Sequence, residues 1–127
     1  MSTHESGKAF EDLAEAYLKR RGWRVLERNF RTHAGEVDLI VRRAGTLAFV
    51  EVKGRLSRAK GDPLEAIPPP KVRRISAAAA LYLAGTARAP GTVRFDVVTV
   101  GPDRNWLGRL KVRHLENAFS SGGAFTV

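Results

Sequence analysis

The stretch from residue 35 to residue 55 constrains the fold of this chain more than any other. It contains two short runs rich in Val, Ile, Leu and Phe, which are joined by a turn around Ala44-Gly45, and this pattern is typical of a β-hairpin. A two-residue loop there pairs Arg42 with Leu47. A loop of three or five residues would instead shift the pairing by one and separate the faces.

The two-residue loop places charged side chains in register near the end of the hairpin. Counting back from the turn, Asp38 lies opposite Glu51, and Glu36 lies opposite Lys53. Opposed residues on paired strands have Cβ atoms roughly 5 Å apart, so like charges there repel. Two carboxylates facing each other among apolar neighbours need a positive charge between them. A divalent cation is the natural candidate, with Lys53 one step further along the face of Glu51.

The composition of the chain limits the functions in which such a pair of carboxylates could take part. The 127 residues carry 22 Lys and Arg against 13 Asp and Glu, a net charge of +9 that points to a polyanion such as nucleic acid. A solvated basic surface would give the same balance. The absence of cysteine excludes disulfides, zinc thiolate sites and thiol nucleophiles. Because the first eight residues are polar and no apolar run has membrane-spanning length, we expect a soluble, cytoplasmic protein.

The remaining pattern predicts a mixed sheet with helices packed on it, in the order αβββαββ. A first helix carries an apolar stripe and ends near Gly22, and a second helix follows a run of three prolines. We expect one domain over residues 1–119 and a flexible tail over residues 120–127. The other predicted elements are strands at Trp23–Phe30, Thr92–Val100 and Leu110–Leu115, a turn at Gly101-Pro102-Asp103, a second helix at Lys71–Ala84 and a short helical end after Glu116.

Glu11 is the acid of the first helix that is best placed to enter a site beside the core. On a helical wheel it lies about 20° from Leu18, at the margin of the apolar stripe. A solvated glutamate on the helix surface is the alternative interpretation. Asp96, inside an apolar strand, is either on a solvated face, bonded to a neighbouring loop, or a secondary residue of the site.

Basic residues follow the acidic hairpin and crowd the start of the second helix. Cations are unfavourable at a helix N-terminus, so their presence there indicates an anionic partner. We expect them to contact nucleic-acid phosphates: Arg55, Arg58, Lys60, Lys71 and Arg74.

With these residues in place, the chain resembles the PD-(D/E)XK nuclease superfamily. It is similar to archaeal Holliday-junction resolvases and to the bacterial YraN-like family. Val37 stands where the superfamily name has proline, a change that removes no ligand. The resemblance covers residues 7 to 119 and rests on these segments: Gly7-x-x-x-Glu11-x-x-Ala14, Asn29-Phe30-Arg31, Gly35-Glu36-Val37-Asp38, Val50-Glu51-Val52-Lys53, Lys71 with Arg74 and Ile75, Arg94-Phe95-Asp96-Val97, and Asn117-Ala118-Phe119.

The resemblance implies a fold and a set of roles. The fold is α/β of the α+β sandwich type, with a restriction-endonuclease-like core. Asp38 and Glu51 would hold Mg²⁺ or Mn²⁺ with the main-chain carbonyl of Val52, and Glu11 would bind the ion directly or through water. Lys53 would orient the attacking water and stabilise charge on the phosphate.

The expected function is a metal-dependent endonuclease that hydrolyses DNA phosphodiesters, including structured or branched DNA, with RNA not excluded as a substrate. Related resolvases act in pairs, which implies a homodimer. The first alternative is a non-catalytic nucleic-acid-binding module that keeps the nuclease fold. The second is a partner-binding scaffold whose basic surface is incidental. Opposed carboxylates favour catalysis over binding alone.

Overall fold

The computed structural model describes residues 3–55, 67–86, 91–102 and 109–120. Its element order confirms the predicted αβββαββ arrangement. The elements are α1 (Thr3–Arg20), β1 (Arg24–Thr32), β2 (Gly35–Arg43), β3 (Thr46–Gly54), α2 (Pro69–Ala84), β4 (Thr92–Pro102) and β5 (Leu110–Leu115).

All five strands form one mixed sheet in the order β1-β2-β3-β4-β5. Only β3 and β4 are parallel, because the helix α2 lies between them in the chain and returns it to the same end of the sheet. The two helices cover opposite faces, since the adjacent residues Ala48 and Phe49 belong to separate core clusters, one with α1 and one with α2. This arrangement confirms the predicted fold class.

The hairpin has the predicted register. Arg42 pairs with Leu47, and the loop is the two-residue Ala44-Gly45, with Ala44 at φ 52°. The paired main-chain residues extend from the turn to Leu39 and Val50. Asp38 and Glu51 are therefore the next residues beyond the regular ladder, at the end of the hairpin away from its turn.

Several predicted boundaries are wrong by a few residues. The helix α2 begins at Pro69 and not at Lys71, because proline fits the first helical turn, where an N–H has no partner to lose. Gly101 and Pro102 belong to β4 and not to a turn, since both remain paired with β5. The strand β1 begins one residue later than predicted and ends two residues later than predicted.

The C-terminal end also differs from the prediction. Residues 116 and 117 form a turn, and the described part of the chain has no helix after β5. Residues 121–127 of the predicted tail lie outside the described residues, as do Arg58 and Lys60. The single domain over residues 1–119 stays a prediction.

Candidate metal and nucleic-acid site

The start of β2 lets the first half of α2 approach the sheet closely. Gly35 opens this strand, and a Cβ built there would collide with the main-chain carbonyl of Arg74. Only glycine therefore permits this approach without moving the helix. The close packing brings the side chains of Lys71 and Arg74 to the end of the hairpin where Asp38 and Glu51 lie.

The side chain of Asp38 bonds to the main chain of the neighbouring strand, where a main-chain carbonyl would otherwise be the acceptor. Its Oδ2 accepts a hydrogen bond of 2.8 Å from the main-chain N–H of Val52. This bond occurs just past the last regular pair, Leu39 with Val50. The Asp38 side chain thus fixes the backbone of β3 directly after Glu51, and the main chain of Val52 lies beside the Asp38 carboxyl.

The Asp38 carboxyl titrates far from its ordinary range. Burial is the largest cause of a rise in its pKa to about 8, and hydrogen bonding and repulsion from the neighbouring Glu51 carboxyl contribute to that rise. The N–H of Val52 and the Lys71 ammonium oppose that rise in pKa. At neutral pH and without a cation, Asp38 therefore holds a proton beside Glu51. This agrees with the repulsion expected from the hairpin register.

Glu51 is the more buried of the two acids. Its side chain is 6% exposed, and its Oε2 lies 3.1 Å from the Nζ of Lys71. That contact is an ion pair without hydrogen-bond geometry, so Oε2 has no hydrogen-bond donor within the described part of the chain. A buried carboxylate oxygen with no directed donor is suited to a hard cation. The pair Asp38–Glu51 therefore fits Mg²⁺ or Mn²⁺ chemically.

Both acids face one open pocket of about 500 Å³ between the β1–β2 turn, the hairpin end and α2. Its walls carry charges of both signs: Glu36, Asp38, Glu51, Arg31, Lys71 and Arg74. Glu36 is paired with Arg31 across the strands at 3.2 Å, and both are exposed. A pocket with buried acids and basic residues around them can hold a cation and a phosphate together.

Lys53 and Arg55 follow Glu51 along the chain. Lys53 is half-buried, and strand alternation puts it on the face of Glu51. The main-chain N–H of Arg55 donates to the carbonyl of Val100 at 2.9 Å, which continues the pairing with β4. Neither residue is among those that line the pocket. Their roles remain predictions.

Comparison with known proteins identifies the family. The profile described as "Uncharacterised protein family UPF0102" matches residues 10–100. A UPF0102 protein of Symbiobacterium thermophilum is 46% identical over 115 residues, covering 89% of this chain and 94% of that protein. One from Syntrophomonas wolfei is 42% identical over 115 residues, covering 91% and 97%. This chain belongs to the UPF0102 family.

A solved structure is also similar to this UPF0102 chain. It is that of Pyrococcus furiosus SfsA in complex with Ca²⁺, at 18% identity and a TM-score of 0.41. The match covers 91% of this chain and 64% of the SfsA chain, so the UPF0102 chain spans less than two thirds of that protein.

UPF0102 is the YraN-like family, which is PD-(D/E)XK nuclease-like, and the resemblance carried by the motifs is thereby confirmed. The matched residues 10–100 include Glu11, Asp38, Glu51 and Lys53. By its family, the UPF0102 chain is a nuclease-like protein. Neither of its two described helices combines the length and apolar character needed to cross a membrane.

Glu11 lies at the α1–β1 contact. Its Oε1 accepts a hydrogen bond of 3.0 Å from the side-chain amide of Asn29 and lies 3.4 Å from Nε of Arg28. Its side chain is 17% exposed, so it is not the solvated surface residue of the alternative interpretation. Among the described residues no three His, Asp or Glu side chains form a group that could hold a metal ion. Glu11 as a third ligand stays a prediction.

A second buried aspartate, Asp96 of β4, belongs to a different cluster. Arg94 donates to both of its oxygens at 3.2 and 2.8 Å, and the main-chain N–H of Asn117 donates at 2.9 Å. His114 Nε2 lies 2.7 Å from its Oδ2, and the His114 ring meets Trp23 edge-on. Although burial raises the pKa of Asp96, hydrogen bonds from these three residues hold it below the usual value. The loop-bonded interpretation is confirmed, and the solvated one is wrong.

Sequence reasoning missed two features of the acidic site. It assigned Lys71 to DNA phosphates alone, whereas the structure pairs this residue with Glu51. It also did not anticipate that the β1–β2 turn, with Arg31, would form one wall of the pocket. Two features of the sequence could have indicated them: the unfavourable cations at the start of α2 and the glycine at the start of β2.

Proposed function

We propose that this UPF0102 protein is a metal-dependent endonuclease that hydrolyses DNA phosphodiesters, including structured or branched DNA. The observation that carries this proposal is the Asp38–Glu51 pair. Its two carboxyls share one pocket, and burial with mutual repulsion raises the pKa of Asp38 to about 8. Such a pair has no evident use in a module that only binds nucleic acid, but it matches the needs of a cation-dependent hydrolase.

The residues divide the proposed work between them. Asp38 and Glu51 would hold Mg²⁺ or Mn²⁺, with the carbonyl of Val52 and with Glu11 as further ligands. Such an ion lowers the pKa of water and stabilises charge on a phosphoryl group. Lys53 would orient the attacking water and bind the phosphate oxygen from the same strand face. The fixed backbone after Glu51 would hold Lys53 in line with the acids.

Phosphates would be bound by the basic residues around the pocket. Lys71 and Arg74 line it, and Arg55 follows β3 at its acidic end. The net charge of +9 would strengthen association with DNA and make it sensitive to salt. Arg58 and Lys60, outside the described residues, complete the proposed contact set. We further propose that the protein acts in the cytoplasm as a homodimer, which light scattering of the free and DNA-bound protein tests.

The second candidate is a non-catalytic nucleic-acid-binding module. The observation in its favour is that no group of three acids forms among the described residues and that Lys71 already neutralises Glu51. This candidate predicts DNA binding without cleavage in any divalent ion.

A cleavage assay separates the two candidates. Single-stranded, duplex, flap and four-way-junction DNA would be incubated with Mg²⁺, with Mn²⁺ or with a chelator. Cleavage should require the ion and should be lost in Asp38→Asn, Glu51→Gln and Lys53→Ala, while each variant still binds DNA. The matched control is Glu36→Gln, which removes an exposed acid from the same pocket and should keep activity. Cleavage in the chelator, or full activity of Glu51→Gln, would overturn the proposal.

A further inference from the structure

The contact between Lys71 Nζ and Glu51 Oε2, called here the Lys71–Glu51 pair, joins the acidic site to the basic wall of the pocket. We propose that Lys71 is a built-in counter-ion that competes with the divalent cation for Glu51 and, once displaced, becomes available to a DNA phosphate. This inference rests on the proposed function, because it assumes that the acids bind a metal ion.

The two partners of the pair differ in their freedom to move. The Glu51 side chain is 6% exposed, whereas that of Lys71 is 48% exposed. The backbone of Lys71 is anchored by its N–H bond to the carbonyl of Pro68 at 2.9 Å, while about half of its side-chain surface is open to solvent. Lys71 can therefore leave Glu51 by rotating its side chain into water. Glu51 cannot follow without moving its strand.

Competition follows from the position of the ammonium. Within the described ranges Oε2 of Glu51 accepts no directed hydrogen bond, and the Lys71 ammonium lies 3.1 Å from it. A divalent ion bound to that oxygen would repel an ammonium held so close. While no cation is bound, the Lys71 ammonium lies against the Glu51 carboxylate as its counter-ion. The favourable interaction between Lys71 and Glu51 is lost when a divalent cation binds.

The displaced ammonium has an evident second partner. Lys71 lines the same pocket as Arg74 and Arg31, so its freed charge would add to a positive wall facing bound nucleic acid. Before displacement, Glu51 neutralises that charge. Metal binding would thus increase the phosphate contacts of the pocket by one, and metal and DNA would each strengthen binding of the other at this residue.

Titration calorimetry with Mn²⁺ in the absence of DNA tests the competition. Lys71→Gln should bind Mn²⁺ about two- to fivefold more tightly than the wild type, because no ion pair has to be broken. Arg73→Gln is the matched control: it removes the same charge from the neighbouring, exposed position of α2 and should leave the affinity close to that of the wild type.

The outcomes separate this inference from the proposed function. If the wild type binds Mn²⁺ and Lys71→Gln binds no more tightly than Arg73→Gln, the competition is overturned while the metal site stands. If the wild type and Lys71→Gln both fail to bind Mn²⁺, the proposed function fails as well.

Duplex binding tests the second half of the inference. The affinity lost in Lys71→Gln should be larger with Ca²⁺ than with a chelator, because only the displaced Lys71 would contact phosphate. Effects of the ion on the DNA itself cancel, since wild type and variant are compared in the same buffer. An equal loss of affinity in both buffers would overturn the transfer of Lys71 to DNA.

Discussion

Two buried aspartates on one sheet behave in opposite ways. Asp96 is fully buried, and Arg94, His114 and the N–H of Asn117 together hold its pKa below the usual value. Asp38 is partly buried, accepts a hydrogen bond from a main-chain N–H and faces a second acid, so its pKa rises to about 8. Burial raises the pKa of both, and the neighbours decide which way each shift finally goes.

The difference separates a structural charge from one available for binding. The donors around Asp96 leave its carboxylate compensated, and they join β4 to β5 and to the turn after it. Asp38 and Glu51 instead place two carboxyls together, and the cation that contacts Glu51, Lys71, has a side chain that is 48% exposed. A charged ligand can therefore stabilise the acidic pair, whereas it could only disrupt the Asp96 cluster.

The largest expected effect comes from replacing each aspartate in turn with asparagine. Asp96→Asn should lower the free energy of unfolding by about 3–5 kcal/mol, because it removes the fully buried charge to which Arg94 and His114 are paired. Asp38→Asn should leave the metal-free protein as stable as the wild type or more stable, because asparagine is neutral and avoids the cost of protonating Asp38 beside Glu51 on folding. Urea unfolding at neutral pH measures both. Equal destabilisation by the two variants would remove the distinction between the sites.

A smaller effect is expected in the dependence of stability on pH. Asp38 has a raised pKa in the folded state, so its contribution is fully present below the unfolded value near 4 and is lost as the pH rises toward 8. Between pH 5 and pH 7 the metal-free protein should lose stability on the order of 3 kcal/mol from this group. Urea unfolding of the wild type and Asp38→Asn across this range measures the loss.

Asp96 provides the contrast in that experiment. Its pKa is lowered, so its contribution is present above the unfolded value and is lost only as the pH falls below about 4. The wild type should therefore be less stable at pH 7 than at pH 5, and Asp38→Asn should show a flatter profile. A profile that is unchanged in Asp38→Asn would assign the pH dependence to another group.

Much of the acidic site could be predicted because it depends on local geometry. The two-residue turn and the alternation of side chains set the register that brings Asp38 opposite Glu51, and both are encoded within about twenty residues of sequence. The order of elements was equally accessible, because apolar periodicity distinguishes the helices from the strands.

The rest depended on contacts between distant segments. Lys71 reaches Glu51 because α2 crosses the sheet and packs against Gly35, and no sequence period encodes that approach. Besides Arg94 on the same strand, the donors of Asp96 come from β5 and the turn after it, eighteen and twenty-one residues away along the chain. A pattern of single residues could suggest a bonded loop at Asp96 but could not identify its partners.

We propose above all that Asp38 and Glu51 share a divalent cation. The most direct test is the free energy of unfolding of the wild type, Asp38→Asn and Glu51→Gln, each with and without Mg²⁺. At tenfold over its dissociation constant the ion should stabilise the wild type by about 1.4 kcal/mol and should do little for either variant. If Mg²⁺ leaves the wild type unchanged, or stabilises all three proteins equally, the two acids do not share a metal ion.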